Sequence, residues 1–383
     1  MSKADFSAAE FAGRLARLRA KMAAMRLDWL VAIHPMSIHW LTGSDAKSYQ
    51  EFQCLLVGAR DEPLVVFTRQ GERHEFEVDS LADEVIGWGG GVTEDPIDAL
   101  APLLRRLGIA GRRVGFEVPA YYLHPDHARR LREALGPEAV EASGLIARLK
   151  LVKSPAELDC VRRAAALADG AMARFAEALA AGRSELQLAG TVYQALLESG
   201  SGIAASPINL VTGPRTAFAH GAPTGRLLQA GDFGNIEFGA TASRYTATLG
   251  RDFVLGTPTS RMRELHDVVA EAGDAMLAEI RDGVPAIRVH EAGCQVIAAA
   301  GLDRFRVHLT GYSLGPGFPP SWAEPLYLMD GCGDVLQAGM VLTIEPPVFI
   351  GEEGLGARLI DNVVVTAHGA ERLSRFSRDL LVA

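Results

Sequence analysis

The residues able to do chemistry are few, and they lie in the later part of the chain. Glu237 sits inside Asn235-Ile236-Glu237-Phe238-Gly239, an apolar, strand-like run with one carboxylate within it. Glu345 ends a second apolar run, Met340-Val341-Leu342-Thr343-Ile344, and is followed by Pro346-Pro347. A carboxylate in apolar surroundings is costly unless it is paired or used. Two readings stay open for each residue. One is acid–base or cation-binding chemistry; the other is a buried salt bridge to an arginine such as Arg251 or Arg358. His220, in the loop-like Arg215-Thr216-Ala217-Phe218-Ala219-His220-Gly221, offers an imidazole suited to proton transfer near neutrality. Taken alone, a loop histidine is more often structural or solvated.

Other motifs carry less. Gly311-Tyr312-Ser313-Leu314-Gly315 matches the G-x-S-x-G nucleophile elbow, which needs a strand before it and a helix after it. Gly315-Pro316-Gly317-Phe318-Pro319-Pro320 follows and cannot start that helix, so the segment reads as a glycine-rich turn. The glycines at Gly87–Gly91 lack phosphate-loop spacing and read as a loop. Cys54, Cys160, Cys294 and Cys332 are scattered, with no C-x-x-C. That disfavours a disulfide framework or a thiolate zinc site and fits a reducing cytoplasm.

These residues must be held by a chain of 383 residues, a length that suits two domains. With 38 Lys plus Arg against 47 Asp plus Glu, the formal charge is −9, which argues against nucleic acid as the main partner. No apolar run approaches bilayer length, and the N-terminal segment has no apolar signal core, so a cytoplasmic protein without a membrane partner is expected. The first part alternates helices with short apolar runs at Trp29–Ile33, Cys54–Val57, Leu64–Phe67 and Val114–Phe116. Ser7 and Glu10 form a capping box before a helix with Phe11, Leu15, Leu18 and Met22 near one face. Helices are also expected at Ile97–Leu107 and His127–Leu135, giving an α/β domain.

A boundary falls near Leu149–Lys153, dividing the chain into 1–150 and 151–383. Ser154-Pro155-Ala156-Glu157 is a second capping box, opening a helix expected to run to Gly182. A helix from Ser184 to Gly200, strands across Ile208–Leu255, and helices at Arg261–Ile280 and Ile287–Ala300 follow. Strands are expected at Arg306–Leu309, Met340–Ile344 and Leu359–Thr366, an α+β arrangement.

Five ordered segments carry a resemblance that spans essentially the whole chain: Pro214–Asp232, Ile236–Phe253, His308–Gly315, Gly339–Pro346 and Gly356–Asp361. Together they resemble the pita-bread family of creatinase, prolidase, aminopeptidase P and methionine aminopeptidase. The resemblance implies an α+β pita-bread catalytic domain preceded by a smaller α/β creatinase-type domain. The family's peptidases hold two metal ions with two Asp, one His and two Glu. In this chain those positions carry Glu237, Thr248, Tyr312, Glu345 and Ile360. Two adjacent dications need several carboxylates, so no metal and no other cofactor is expected. The segment Gly311–Gly315 followed by Phe318-Pro319-Pro320-Ser321-Trp322, with Glu237 and Trp40-Leu41-Thr42-Gly43, is most similar to the metal-free ectoine hydrolases. Glu345 departs from that pattern, which is apolar there.

The resemblance therefore implies a metal-independent hydrolase of a C–N bond in a small cationic amidine or guanidine, ectoine hydrolase-like or creatinase-like. Glu237 is the expected cation anchor and proton relay, with His220 moving protons and Glu345 activating water or adding to cation binding. Tyr312 and His308 are expected to donate hydrogen bonds; Arg358 and Arg251 stand where the family pattern has its arginines, and Trp322 and Tyr49 are expected to close the pocket. A homodimer is implied as well. The rival readings are a metal-dependent Xaa-Pro dipeptidase with altered ligands and a non-catalytic binding protein on the same scaffold.

Overall fold

The computed structural model describes residues 3–119 and 121–383, and the chain divides into two compact units, Met1–Leu149 and Lys150–Ala383. The described helices of the first unit are α1 (Ala8–Ala24), α2 (Pro35–Thr42), α3 (Arg73–Asp79), α4 (Pro96–Arg106), α5 (Pro125–Leu135) and α6 (Gly144–Lys150). Its strands are β1 (Trp29–Ala32), β2 (Cys54–Gly58), β3 (Val65–Arg69), β4 (Glu84–Trp88), β5 (Val114–Phe116) and β6 (Val140–Glu141). They form one mixed sheet in the order β4-β3-β2-β1-β5-β6. β1 runs antiparallel to β2 and parallel to β5. The central strands β1, β2 and β5 are buried on both faces, so they read as short continuous apolar runs. Ser7 caps α1 by accepting from the Glu10 amide at 3.2 Å. The second half of the expected capping box is missing, because the Glu10 carboxylate turns to Arg14 at 3.1 Å, one helical turn on.

The second unit holds α7 (Pro155–Ala178), α8 (Glu185–Glu198), α9 (Ser260–Glu279) and α10 (Ala286–Ala299). Its strands are β7 (Asn209–Thr212), β8 (Phe233–Ala242), β9 (Tyr245–Val254), β10 (Gly311–Phe318), β11 (Ser321–Leu328), β12 (Val341–Ile344), β13 (Pro347–Ile350), β14 (Leu355–Arg358), β15 (Asp361–Val365), β16 (Ala370–Arg372) and β17 (Leu381–Val382). The main sheet runs β16-β15-β12-β10-β9-β8-β7, while β13 and β14 form a separate hairpin. The capping box of α7 is complete, with Ser154 accepting from the Glu157 amide and Glu157 from the Ser154 amide. This helix ends at Ala178 rather than at Gly182, because Leu179 is already extended. Gly182 turns the chain toward α8 at φ 84°. The apolar side chains of α7 and α8, including Phe175 and Val192, cover Ile236, Phe238 and Leu249 on one face of the sheet. Alternation then sends Asn235, Glu237 and Gly239 to the other face. No described helix is long and apolar enough to cross a membrane.

Two expectations fail together. The strand expected at Arg306–Leu309 is irregular chain after a short turn at Asp303–Phe305, and the expected glycine-rich turn at Gly311–Gly315 is strand β10. The glycines are there for close approach rather than for turning. A Cβ on Gly311 would overlap the Thr343 carbonyl oxygen, and one on Gly315 would overlap the Glu324 carboxylate. Because the atom facing Gly311 is backbone, Gly311→Ala is expected to cost about 1–3 kcal/mol through a forced shift of β10 against β12. Urea unfolding of the variant measures it; an unchanged midpoint would contradict the packing described.

Candidate active site

Glu237 lies near the middle of β8, between Asn209 of β7 and Gly250 of β9. Its Oε2 accepts from Asn209 Nδ2 at 2.8 Å and is ion-paired with Arg358 Nη2. Glu237 is 5 % exposed and Arg358 1 %. The salt-bridge reading left open by the sequence is therefore realised for Glu237, with Arg358 as the partner. Burial disfavours the charge on Arg358, but Glu237, then Glu345, Tyr312 and Asp252, outweigh it and hold the guanidinium above its usual range. Arg358 Nε and Nη1 are buried with no hydrogen-bond partner among the described residues.

Arg251 does not join this group. It lies opposite Ile236, so it leaves the sheet on the face away from Glu237. Its guanidinium donates to the carbonyls of Gly250, Ile360 and Ser377 at 2.7, 2.9 and 2.6 Å and to Asp361 at 3.0 Å. That is a structural anchor for the C-terminal segment, and the expectation of substrate contact is corrected accordingly.

Glu345 follows the last residue of β12, and its amide donates to the Thr310 carbonyl at 2.8 Å. The residue is 1 % exposed, and neither carboxyl oxygen has a hydrogen-bond partner among the described residues. Burial pushes its pKa up to about 8; Arg358 opposes the rise and Glu237 adds to it. Burial therefore favours the protonated form of Glu345 at neutral pH. His308 Nδ1 stands 3.9 Å from Glu345 Oε1 and 3.1 Å from the Leu309 carbonyl. The rings of His220 and His308 meet edge to face at 4.9 Å. Burial, with Arg358 in support, lowers the pKa of both imidazoles, so both are neutral at pH 7. Tyr312 accepts from Trp322 Nε1 at 2.8 Å. Burial, then Glu345 and Glu237, hold its hydroxyl protonated far above the usual range. Tyr49 packs within the first unit, edge-on to Tyr122 at 5.8 Å.

Several positioning residues escaped the sequence reading. Asp252 accepts from the Arg358 amide at 3.1 Å, from Asn235 Nδ2 at 2.8 Å, and lies 3.2 Å from His266 Nδ1. Asn235 also donates to the Arg358 carbonyl at 2.9 Å. This group fixes the end of β14 and hence the arginine. The signal was present, since Asn235 stands two residues before Glu237 on the same strand face. The His220 loop is tied at its neck by the buried Glu185, which accepts from Thr212 Oγ1 at 2.7 Å and the Thr224 amide at 2.9 Å and pairs with Arg215. Arg215 also donates to the Ala222 carbonyl at 2.6 Å.

The two-metal set implied by the resemblance does not fit these residues. Glu237 is committed to Arg358 and Asn209. Thr248 is joined to Asn362, which donates to its hydroxyl at 2.9 Å. Ile360 is buried against Gly250, where a Cβ would strike it. Among the described residues no group of three or more His, Cys, Asp or Glu is placed to hold a metal ion.

Comparison with known proteins agrees with the architecture. Residues 14–152 match the creatinase/prolidase N-terminal domain, and residues 159–367 match metallopeptidase family M24. A protein of Mycobacterium tuberculosis named probable dipeptidase PepE is 30% identical over 100% of this chain and 99% of its own length. An ectoine hydrolase of Halomonas elongata is 26% identical over 98% of each chain. The crystal structure of dipeptidase PepE from Mycobacterium ulcerans superposes with a TM-score of 0.85 at 29% identity, covering 98% of this chain and 99% of that one. With a mixed-sheet domain ahead of a strand-built, buried carboxylate–guanidinium group, and the two matches following the two units, the chain belongs to metallopeptidase family M24 and has its pita-bread fold.

Proposed function

We propose that this protein hydrolyses a C–N bond in a small amidine- or guanidine-type zwitterion by acid–base chemistry of its own side chains, in the manner of an ectoine hydrolase. One observation carries the reading: a guanidinium, that of Arg358, neutralises Glu237 at a position where the family's peptidases bind metal. The orphaned atoms indicate what the cavity takes. Glu345 offers two buried oxygens, and Arg358 two buried N–H-bearing nitrogens, without partners among the described residues. A ligand that donates to the one and accepts from the other satisfies both, which an amidinium carrying a carboxylate does.

The neutralisation of Glu237 changes the expected roles. Glu345 rather than Glu237 meets the substrate nitrogen, and a single proton lies between them. His220, neutral at pH 7, takes a proton from water as the water attacks the amidine carbon. Tyr312, which keeps its hydrogen, and Arg358 stabilise charge on the tetrahedral intermediate. The C–N bond breaks as Glu345 gives its proton to the leaving nitrogen, and the His220 imidazolium restores that proton to Glu345.

A second reading, hydrolysis of the peptide bond of a dipeptide, is favoured by the full-length likeness to proteins named dipeptidases. The comparisons favour it over the amidine reading, whereas the side chains at the five ligand positions speak against the metal pair. Chelator dialysis followed by assay with ectoine, creatine and Xaa-Pro dipeptides separates the two. Turnover of an amidine or guanidine, unchanged by chelation, is the expected result. Dipeptide cleavage that appears only when manganese or zinc is restored would overturn the first reading. No turnover, with a thermal shift on ligand addition, would leave a binding protein. A cytoplasmic homodimer belongs to the same proposal, and sedimentation at twice the chain mass is its check for the dimer.

A further inference from the structure

We propose that Lys153 is a positioning residue: by pairing with Glu324 where β11 slips in register against β10, it holds the Trp322–Tyr312 hydrogen bond and so sets the direction of the Tyr312 hydroxyl. The inference rests on the role given to Tyr312 above. Lys153, Glu324 and Lys150 are 4 %, 2 % and 4 % exposed. Lys153 Nζ donates to Glu324 Oε2 at 2.5 Å and to the Leu151 carbonyl at 3.2 Å, and Lys150 Nζ stands 3.8 Å from the other carboxyl oxygen. None of these three side chains takes part in the proposed chemistry. Buried ion pairs add little net stability, and their best-attested use is to fix a register.

The register changes at this point. Tyr312 pairs with Tyr327 but Ser313 with Glu324, so Pro325 and Leu326 on β11 have no opposite residue on β10. A bulge of this kind beside a site re-aims the side chains next to it. Glu324 sits at its edge, where Ser313 Oγ donates to it at 3.4 Å. β10 leaves the carboxylate room, because a Cβ on Gly315 would overlap it. Trp322 lies two residues before Glu324 on the same strand, and its Nε1 donates to the Tyr312 hydroxyl at 2.8 Å. That bond uses a lone pair of Tyr312 and leaves its hydrogen for a ligand. β8 makes room for the indole in turn: a Cβ on Gly239, two residues past Glu237, would crowd the Trp322 ring. The lysine segment is itself tied to the start of β12, the strand that leads to Glu345. The Lys153 amide donates to the Gly339 carbonyl at 3.0 Å, and Val152 bridges to Met340.

The test uses the full chain labelled with 5-fluorotryptophan and read by fluorine NMR. Trp29, Trp40 and Trp88 lie in the first unit and serve as internal controls, and Trp322→Phe assigns the remaining resonance by its loss. Tyr312→Phe deletes the hydrogen bond directly and marks where the Trp322 resonance lies without it. Lys153→Met should move that resonance at least about halfway to this mark while the three controls stay in place. The double variant Lys153→Met/Glu324→Met leaves no unmatched charge at the pair, so it should fold and show the same movement. An unmoved Trp322 resonance in either folded variant would overturn the proposal. So would failure of both to fold, because the pair would then hold the unit rather than this contact. For whichever C–N substrate is turned over, kcat should fall at least about tenfold with KM changed less than about threefold. A moved resonance beside an unchanged kcat would uphold the positioning and remove Tyr312 from the reaction, so the two readings fail separately.

Discussion

Arg358→Met should lower the free energy of unfolding by about 3–5 kcal/mol, because it leaves the Glu237 carboxylate buried without its counter-charge. Glu237→Gln should do the same in mirror image, stranding the guanidinium. That consequence qualifies the sequence-based view of Glu237 as a free anchor: its removal should abolish turnover, by about 10³-fold or more, but the fold does not go untouched. The double variant Glu237→Gln/Arg358→Met should be more stable than the sum of the single losses, since no unmatched charge is left. Urea unfolding of all four proteins measures the coupling. Strict additivity would mean that the two side chains do not act as a buried pair.

Glu345→Gln should reduce kcat by about 10²–10⁴-fold and should abolish the alkaline fall in activity expected of the wild type near pH 8. The same carboxyl group controls a pH dependence of stability. Its folded pKa, about 8, exceeds the ordinary glutamate value of about 4.5, so the folded state holds the proton more tightly. The stabilisation is fully present below pH 4.5, declines as pH rises through the interval, and is lost above about pH 8. His220 and His308 act in the opposite direction, because burial favours their neutral forms and their contribution is lost as pH falls below the ordinary imidazole range. Comparing wild type with Glu345→Gln at pH 5 and 8.5 isolates the carboxyl group. The variant should lose the alkaline decline in Tm; identical profiles would show that Glu345 is ionised throughout.

Much of the site could be read from pattern alone. Glu237 and Glu345 stand out because each is a lone carboxylate in an apolar run, and apolar runs of that length become buried strands. The choice between Arg251 and Arg358 could not be read this way. It depends on cross-strand register, which pairs Gly250 with Glu237 and so turns Arg251 to the other face. Gly311–Gly315 misled for a related reason. Glycine signals a turn when only local conformation is considered, whereas here Thr343 on β12 and Glu324 on β11 crowd Gly311 and Gly315 and leave no room for a side chain. The raised pKa of Glu345 likewise needs the three-dimensional burial of both its oxygens.

The packing of Ile360 against Gly250 sets a hurdle for design. Installing a metal pair through Ile360→Glu alone would push a charged group into a filled, apolar spot, with Thr248, Tyr312 and the Arg358-bound Glu237 unable to supply the remaining coordination. Side-chain volume thus bars the one-step route to an ion, and altered specificity is expected to be reached more readily around the guanidinium.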